Sequence, residues 1–125
     1  MYGLLGITRA DTDRIQAQHN RNFAFFDAPV GLIFTIDDVM ERGSWLDYGM
    51  FLQSLALAAE SEGLGTCIQA CWAAHADIIA STLSIAENEH IVCGISLGHA
   101  DPDSPVNHLI TERAAVADFA TFVED

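Results

Sequence analysis

Lysine is absent from this chain, and its basic side chains are five arginines set against 18 Asp and Glu residues, a net charge of −13. Nucleic acid and anionic lipid need a basic footprint, so neither is an expected partner. A phosphate-bearing ligand would have to be held by backbone dipoles and very few arginines. Long apolar runs are missing too: no stretch of about 18 residues escapes a polar interruption, which argues against a membrane-spanning helix. The opening Met1-Tyr2-Gly3-Leu4-Leu5-Gly6 has no basic region and no small-residue cleavage site, so no secretory signal is expected and the cytoplasm is the expected location. Cysteine is scarce and odd in number, Cys67, Cys71 and Cys93, which in such a chain makes structural disulfides improbable.

What is present is apolar. Half of the 125 residues are hydrophobic, enough for one domain over residues 1–125 with a true core and too little for a second. Residues 11–22 read as a polar first helix. Pro29 leads into Val30-Gly31-Leu32-Ile33-Phe34-Thr35-Ile36, β-branched and aromatic, as a buried strand should be. Ser44 is the expected N-cap of a helix over residues 45–62. Leu46, Met50, Phe51, Leu52, Leu55, Leu57 and Ala59 cover most of that helix's circumference, so it must be buried on more than one side, in a core or, more readily in so short a chain, at a subunit interface. Gly63 and Gly65 end it as C-cap glycines. A short strand over 66–70, a helix over 72–83, a second apolar strand over 90–97 and a loop over 98–105 follow. Beyond Arg113 the apolar residues Val116, Phe119, Phe122 and Val123 recur in the tail. Helices interleaved with few buried strands make an α+β or α/β layered domain.

The candidate sites are modest. Cys67 and Cys71 at C-x3-C lack the tight or repeated pairing of zinc sites and read as buried thiols; no metal is expected. His19, His75, His90 and His99 show no ligand or nucleophile pattern, while His108 stays open because it lies near Arg113. Arg113 is either a solvated surface charge or, in a lysine-free chain, an anion contact. No catalytic side chain stands out.

Several stretches in order carry a resemblance: Asn22-Phe23-Ala24-Phe25-Phe26-Asp27-Ala28-Pro29-Val30; Gly43-Ser44-Trp45-Leu46-Asp47-Tyr48; Gly63-Leu64-Gly65-Thr66-Cys67 with Gln69-Ala70; and Val92-Cys93-Gly94-Ile95-Ser96-Leu97-Gly98, continuing to Thr111-Glu112-Arg113. Together they resemble the C-terminal half of the FMN-dependent nitroreductase family. The resemblance implies an α+β fold, a nitroreductase-like mixed sheet with flanking helices and a long buried dimer-interface helix, without the family's N-terminal portion. It implies a homodimer with FMN at the subunit interface, passing electrons from NAD(P)H to nitroaromatic, quinone or similar small acceptors. It places Ile68, Gln69, Ala70 and Cys71 against the flavin ring, where backbone N–H groups serve without a particular side chain, and Arg113 on the FMN phosphate. The alternative is a truncated, non-catalytic oligomer that binds no flavin by itself, its exposed apolar family surfaces driving association.

Overall fold

The computed structural model describes residues 1–123, which fall into two compact units: Arg9–Ala100, and Met1–Thr8 with the chain from Asp101 onwards. The larger unit contains α1 (Thr12–Asn20), a 3-10 segment (Arg21–Asp27), β1 (Val30–Asp37), α2 (Arg42–Ser61), β2 (Gly65–Gln69), a second 3-10 segment (Ala70–His75), α3 (Ala76–Leu83) and β3 (Glu89–Gly98). In the smaller unit lie 3-10 turns at Tyr2–Leu5 and Pro105–His108 and one helical turn, α4 (Val116–Phe119). The class is α+β, as the sequence implied.

The sheet has β3 in the middle, with β1 and β2 each antiparallel to it. No described strand pair is parallel, so the parallel part of the expected mixed sheet is not formed by the described residues. Because side chains alternate across a strand, the ladder sorts residues by face. One face carries Leu32, Phe34, Cys93 and Ile95, which close with Leu52, Leu55 and Tyr48 of α2 into the core. Among the described residues Ile95 is the one large side chain with no exposure at all. Tyr48 adds a polar tie, its hydroxyl donating to the Thr35 carbonyl oxygen at 2.7 Å. The pairing steps from Phe34–Cys93 to Thr35–Ile91 and passes over Val92, which marks a bulge in β3.

Two expected boundaries are corrected. The expected N-cap, Ser44, lies inside the first turn of α2: Glu41 takes the cap position with extended backbone, and the Trp45 N–H reaches the Glu41 carbonyl at 3.2 Å. Arg42 and Gly43 take up helical dihedrals because each added residue brings another backbone bond once the helix exists. The helix expected over 72–83 is instead the 3-10 segment Ala70–His75 followed by α3, with His75 at φ −120°, ψ 29° between them. Trp72 and His75 are both held edge-on against Phe23, at 5.4 and 4.8 Å, and these ring contacts tie down the segment that a continuous α-helix would have to rewind.

The C-cap reading of Gly63 holds in detail. At φ 73° it takes the left-handed turn that glycine tolerates, while its N–H bonds the Glu60 carbonyl and that of Leu64 the Ala59 carbonyl. Of α2 only Leu52 is buried by the chain; Leu46 is 68 % and Leu57 61 % exposed. No helix among the described residues is long and apolar enough to cross a membrane.

Candidate functional site

The second face of the sheet is built from missing side chains. Gly31 on β1 and Gly94 on β3 form a floor: a Cβ on Gly31 would lie 2.4 Å from the Phe25 ring, and one on Gly94 2.3 Å from the Trp72 indole. Phe25 and Trp72 stack on one another over that floor, ring centroids 4.6 Å apart and planes 24° from parallel. Further along the same face a Cβ on Gly98 would meet the Pro29 ring at 2.6 Å.

Seating Phe25 requires unusual backbone. Phe25, Phe26 and Asp27 all have positive φ, at 49°, 54° and 66°. Bulky L-residues in that region cost about 1–3 kcal/mol each and persist only where their surroundings over-determine them. Here the surroundings are the Phe25–Trp72 stack, the Arg21 guanidinium 5.8 Å over the Phe26 ring, and the Arg21–Asp27 ion pair at 2.9 Å.

β2 is an edge strand, so on its outer side half of its backbone N–H and C=O groups meet no other strand. Ile68, opposite Ile95 in the ladder, is half-exposed. Gln69 ends the strand opposite Gly94 and its side chain is buried, 2 % exposed. Its Nε2 donates to the Asn22 carbonyl oxygen at 2.8 Å, and Asn22 Nδ2 donates to the His19 carbonyl at the end of α1. Among the described residues two buried side-chain polar atoms lack a partner: Gln69 Oε1 and Trp72 Nε1. Ala70 and Cys71 open the 3-10 segment, Ala70 exposed and Cys71 half-buried.

The thiols are free, and the expected burial of Cys67 and Cys71 is corrected: Cys67 is exposed on the edge strand, Cys71 is half-buried, and Cys93 is buried. Partial burial pushes the Cys67 thiol up, with a hydrogen bond from Ser96 working against it and the nearby Cys71 adding to it. Burial likewise raises Cys71, against backbone hydrogen bonds that lower it, and Cys93. In each case the leading cause, burial, favours the neutral thiol. Among the described residues no group of His, Cys, Asp and Glu could hold a metal. A groove between α3 and the start of β3 carries Asp77, Glu87 and Glu89, the wrong sign for a phosphate.

Arg113 lies in the smaller unit, where its Nη1 donates to the Thr111 carbonyl and hydroxyl and to the Glu112 carbonyl. The ion pairs among the described residues use Arg14 and Arg21, so no described carboxylate pairs with Arg113. The structure thus gathers Ile68, Gln69, Ala70 and Cys71 at one end of β2 and puts Arg113 and His108 in the other unit. Sequence reasoning missed Asn22, Phe25 and Trp72 as parts of this site. The signal was there in Gly31 and Gly94, glycines inside β-branched strands, which mark a close approach by something bulky.

With this geometry in view, known proteins give a consistent comparison. The Nitroreductase family model matches residues 4–99. A 4-nitrobenzoate reductase of Pseudomonas putida is 45% identical over 122 residues, covering 98% of this chain and 54% of its own length. A nitrobenzene nitroreductase of Ectopseudomonas oleovorans is 40% identical, covering 97% and 53%. Among solved structures, the FMN- and NADPH-dependent nitroreductase NfnB of Sphigopyxis sp. strain HMH superposes with a TM-score of 0.95 at 32% identity, over 99% of this chain and 56% of its own. The FMN-dependent NfnB of Mycobacterium smegmatis, solved with NADPH, gives 0.91 at 31%, over 98% and 55%. The chain spans about half the length of the curated relatives it matches.

Proposed function

This chain belongs to the nitroreductase family, and from that premise we propose that it serves an FMN-dependent oxidoreductase passing electrons from NAD(P)H to nitroaromatic or related small acceptors. The observation that carries the reading is the chain-long match to relatives named for nitroaromatic reduction and to structures named for FMN and NADPH.

The residues present fit FMN in two respects. The outer edge of β2, continuing into Ala70 and Cys71, offers backbone donors and acceptors to the heteroatoms of a flat ring. Taken by itself in the smaller unit, Arg113 has no described carboxylate partner and is able to make a charge-assisted bond to a phosphate. Once bound, the flavin would supply hydride acceptance and onward electron transfer, chemistry that amino-acid side chains do not provide. The chain's own part is to present that backbone rigidly and to offset phosphate charge against a net −13.

The working form is a homodimer in the cytoplasm. Trp45, Leu46, Met50 and Phe51 expose on α2 an apolar surface that the chain alone leaves open, and a second copy would cover it.

Purified protein titrated with FMN tests the reading: yellow protein with flavin absorbance and quenched flavin fluorescence is the expected result. Protein that stays colourless in excess FMN overturns it for this chain and favours the non-catalytic oligomer. Arg113→Ala should weaken FMN binding by about 10- to 100-fold, the worth of a hydrogen bond to a charged group.

A further inference from the structure

We propose that Gln69 is a positioning residue, its buried amide fixing the Ala70–Cys71 backbone by way of Asn22, with Trp72 as the second anchor. The functional meaning rests on the reading above, in which that backbone faces the flavin.

Ala70 and Cys71 form a two-residue bridge between anchored neighbours. On one side Gln69 is paired with Gly94 in the ladder and donates from Nε2 to the Asn22 carbonyl, with Asn22 Oδ1 a further 3.4 Å contact. Asn22 in turn bonds the end of α1, so the hydrogen bonds run from the edge strand to Asn22, 47 residues away in sequence, and on to that helix. On the other side the Trp72 indole lies on Gly94, pinned by the Phe25 stack. Neither Ala70 nor Cys71 is itself buried. Their placement is therefore set by the two residues that flank them.

The chemistry of the anchors favours geometry over stability. Leucine or methionine would fill the Gln69 position with no polar side-chain atom to leave unpaired, and phenylalanine would stack at position 72. Instead Gln69 leaves Oε1 and Trp72 leaves Nε1 buried without a partner. Unpaired buried polar groups weaken a fold, and what Gln69 gains is one directional bond that an apolar side chain cannot make. Local rules broken in this way cluster where a backbone must be held for a purpose.

Backbone amide order parameters of the full chain, from nitrogen-15 relaxation without flavin, test the proposal. In Gln69→Met, which keeps length and burial but cannot donate, those of Ala70 and Cys71 should fall from the rigid range of about 0.85 towards about 0.6, while those of β1 and β3 stay unchanged. Gln69→Asn, too short to reach Asn22, is the second variant should the first not fold, and should loosen the same two amides. Gln69→Glu should show the loosened pattern at neutral pH. Once acidified enough to protonate the carboxyl, it should regain the original pattern, because the acid can donate to the same carbonyl. Unchanged order parameters at Ala70 and Cys71, or an equal fall throughout β1 and β3, overturns the proposal. The same variants, titrated with FMN, separate the two readings. Loosened amides with an altered flavin spectrum support both. Loosened amides with an unaltered spectrum uphold the positioning role and count against this backbone as the flavin contact.

Discussion

The two faces of the three-stranded sheet are held by different physics. On the α2 side, Leu32, Phe34, Cys93 and Ile95 meet Leu52 and Tyr48, and stability comes from apolar area removed from water. On the opposite side Gly31, Gly94 and Gly98 contribute no side chain, and Phe25, Trp72 and Pro29 occupy the space where a Cβ would be. The first face tolerates exchange among apolar side chains of similar volume; the second tolerates no added atom at its floor. A protein can thus keep one sheet face adaptable while the other works as a template of fixed shape, and it is the template that adjoins the candidate site.

The comparison breaks most readily at its strongest point. Ile95→Ala should destabilise the chain by about 2–5 kcal/mol in a denaturant titration, since the side chain has no exposure and the cavity cannot fill from solvent. Gly94→Ala should cost about 1–3 kcal/mol by overpacking against Trp72, and should disturb the near-ultraviolet signal of the indole, which Ile95→Ala should leave closer to normal. Equal disturbance by both would mean the faces are not independent. Tyr48→Phe, which removes the bond to Thr35, should cost about 0.5–1.5 kcal/mol.

The α2 face also has a pH signature. Burial, with Cys93 and Glu89 nearby, raises Tyr48 above its ordinary value of 10.0, and burial raises Cys93 above 9.0. A raised acid favours the neutral form in the fold, so stability is fully present below the ordinary values and declines as pH rises through and beyond them. Unfolding midpoints should therefore fall between neutral pH and strongly alkaline pH, and Tyr48→Phe should flatten that fall. The smallest expected effect is Trp72→Phe, neutral or stabilising by up to about 1 kcal/mol, because it keeps a stacking ring and deletes an unpaired buried donor.

Legibility in the sequence followed the same division. The apolar face was readable: the β-branched runs predict β1 and β3 to within a residue or two, and Gly63 announces the end of α2. The glycine-floored face was not. No local rule places Phe25 and Phe26 at positive φ, because what holds them there is a tryptophan nearly fifty residues on and an ion pair with Arg21. Gln69 drew attention as a backbone contact, whereas its side chain turns inward to Asn22, a pairing fixed by the tertiary fold alone. The break at His75 likewise depends on Phe23, far away in sequence. Arg113 could be singled out by the absence of lysine, yet its neighbours along the chain say nothing about which groups its guanidinium meets.

The open edge of β2 has a further consequence, for handling the protein. A row of unpaired N–H and C=O groups is a template on which another extended chain can add, and β2 carries no proline or charged side chain to discourage it. The edge proposed above to receive a flat ring is thus also open to misassembly. A ligand seated there would act as a solubility factor, and concentrated protein should stay dispersed longer with FMN than without it.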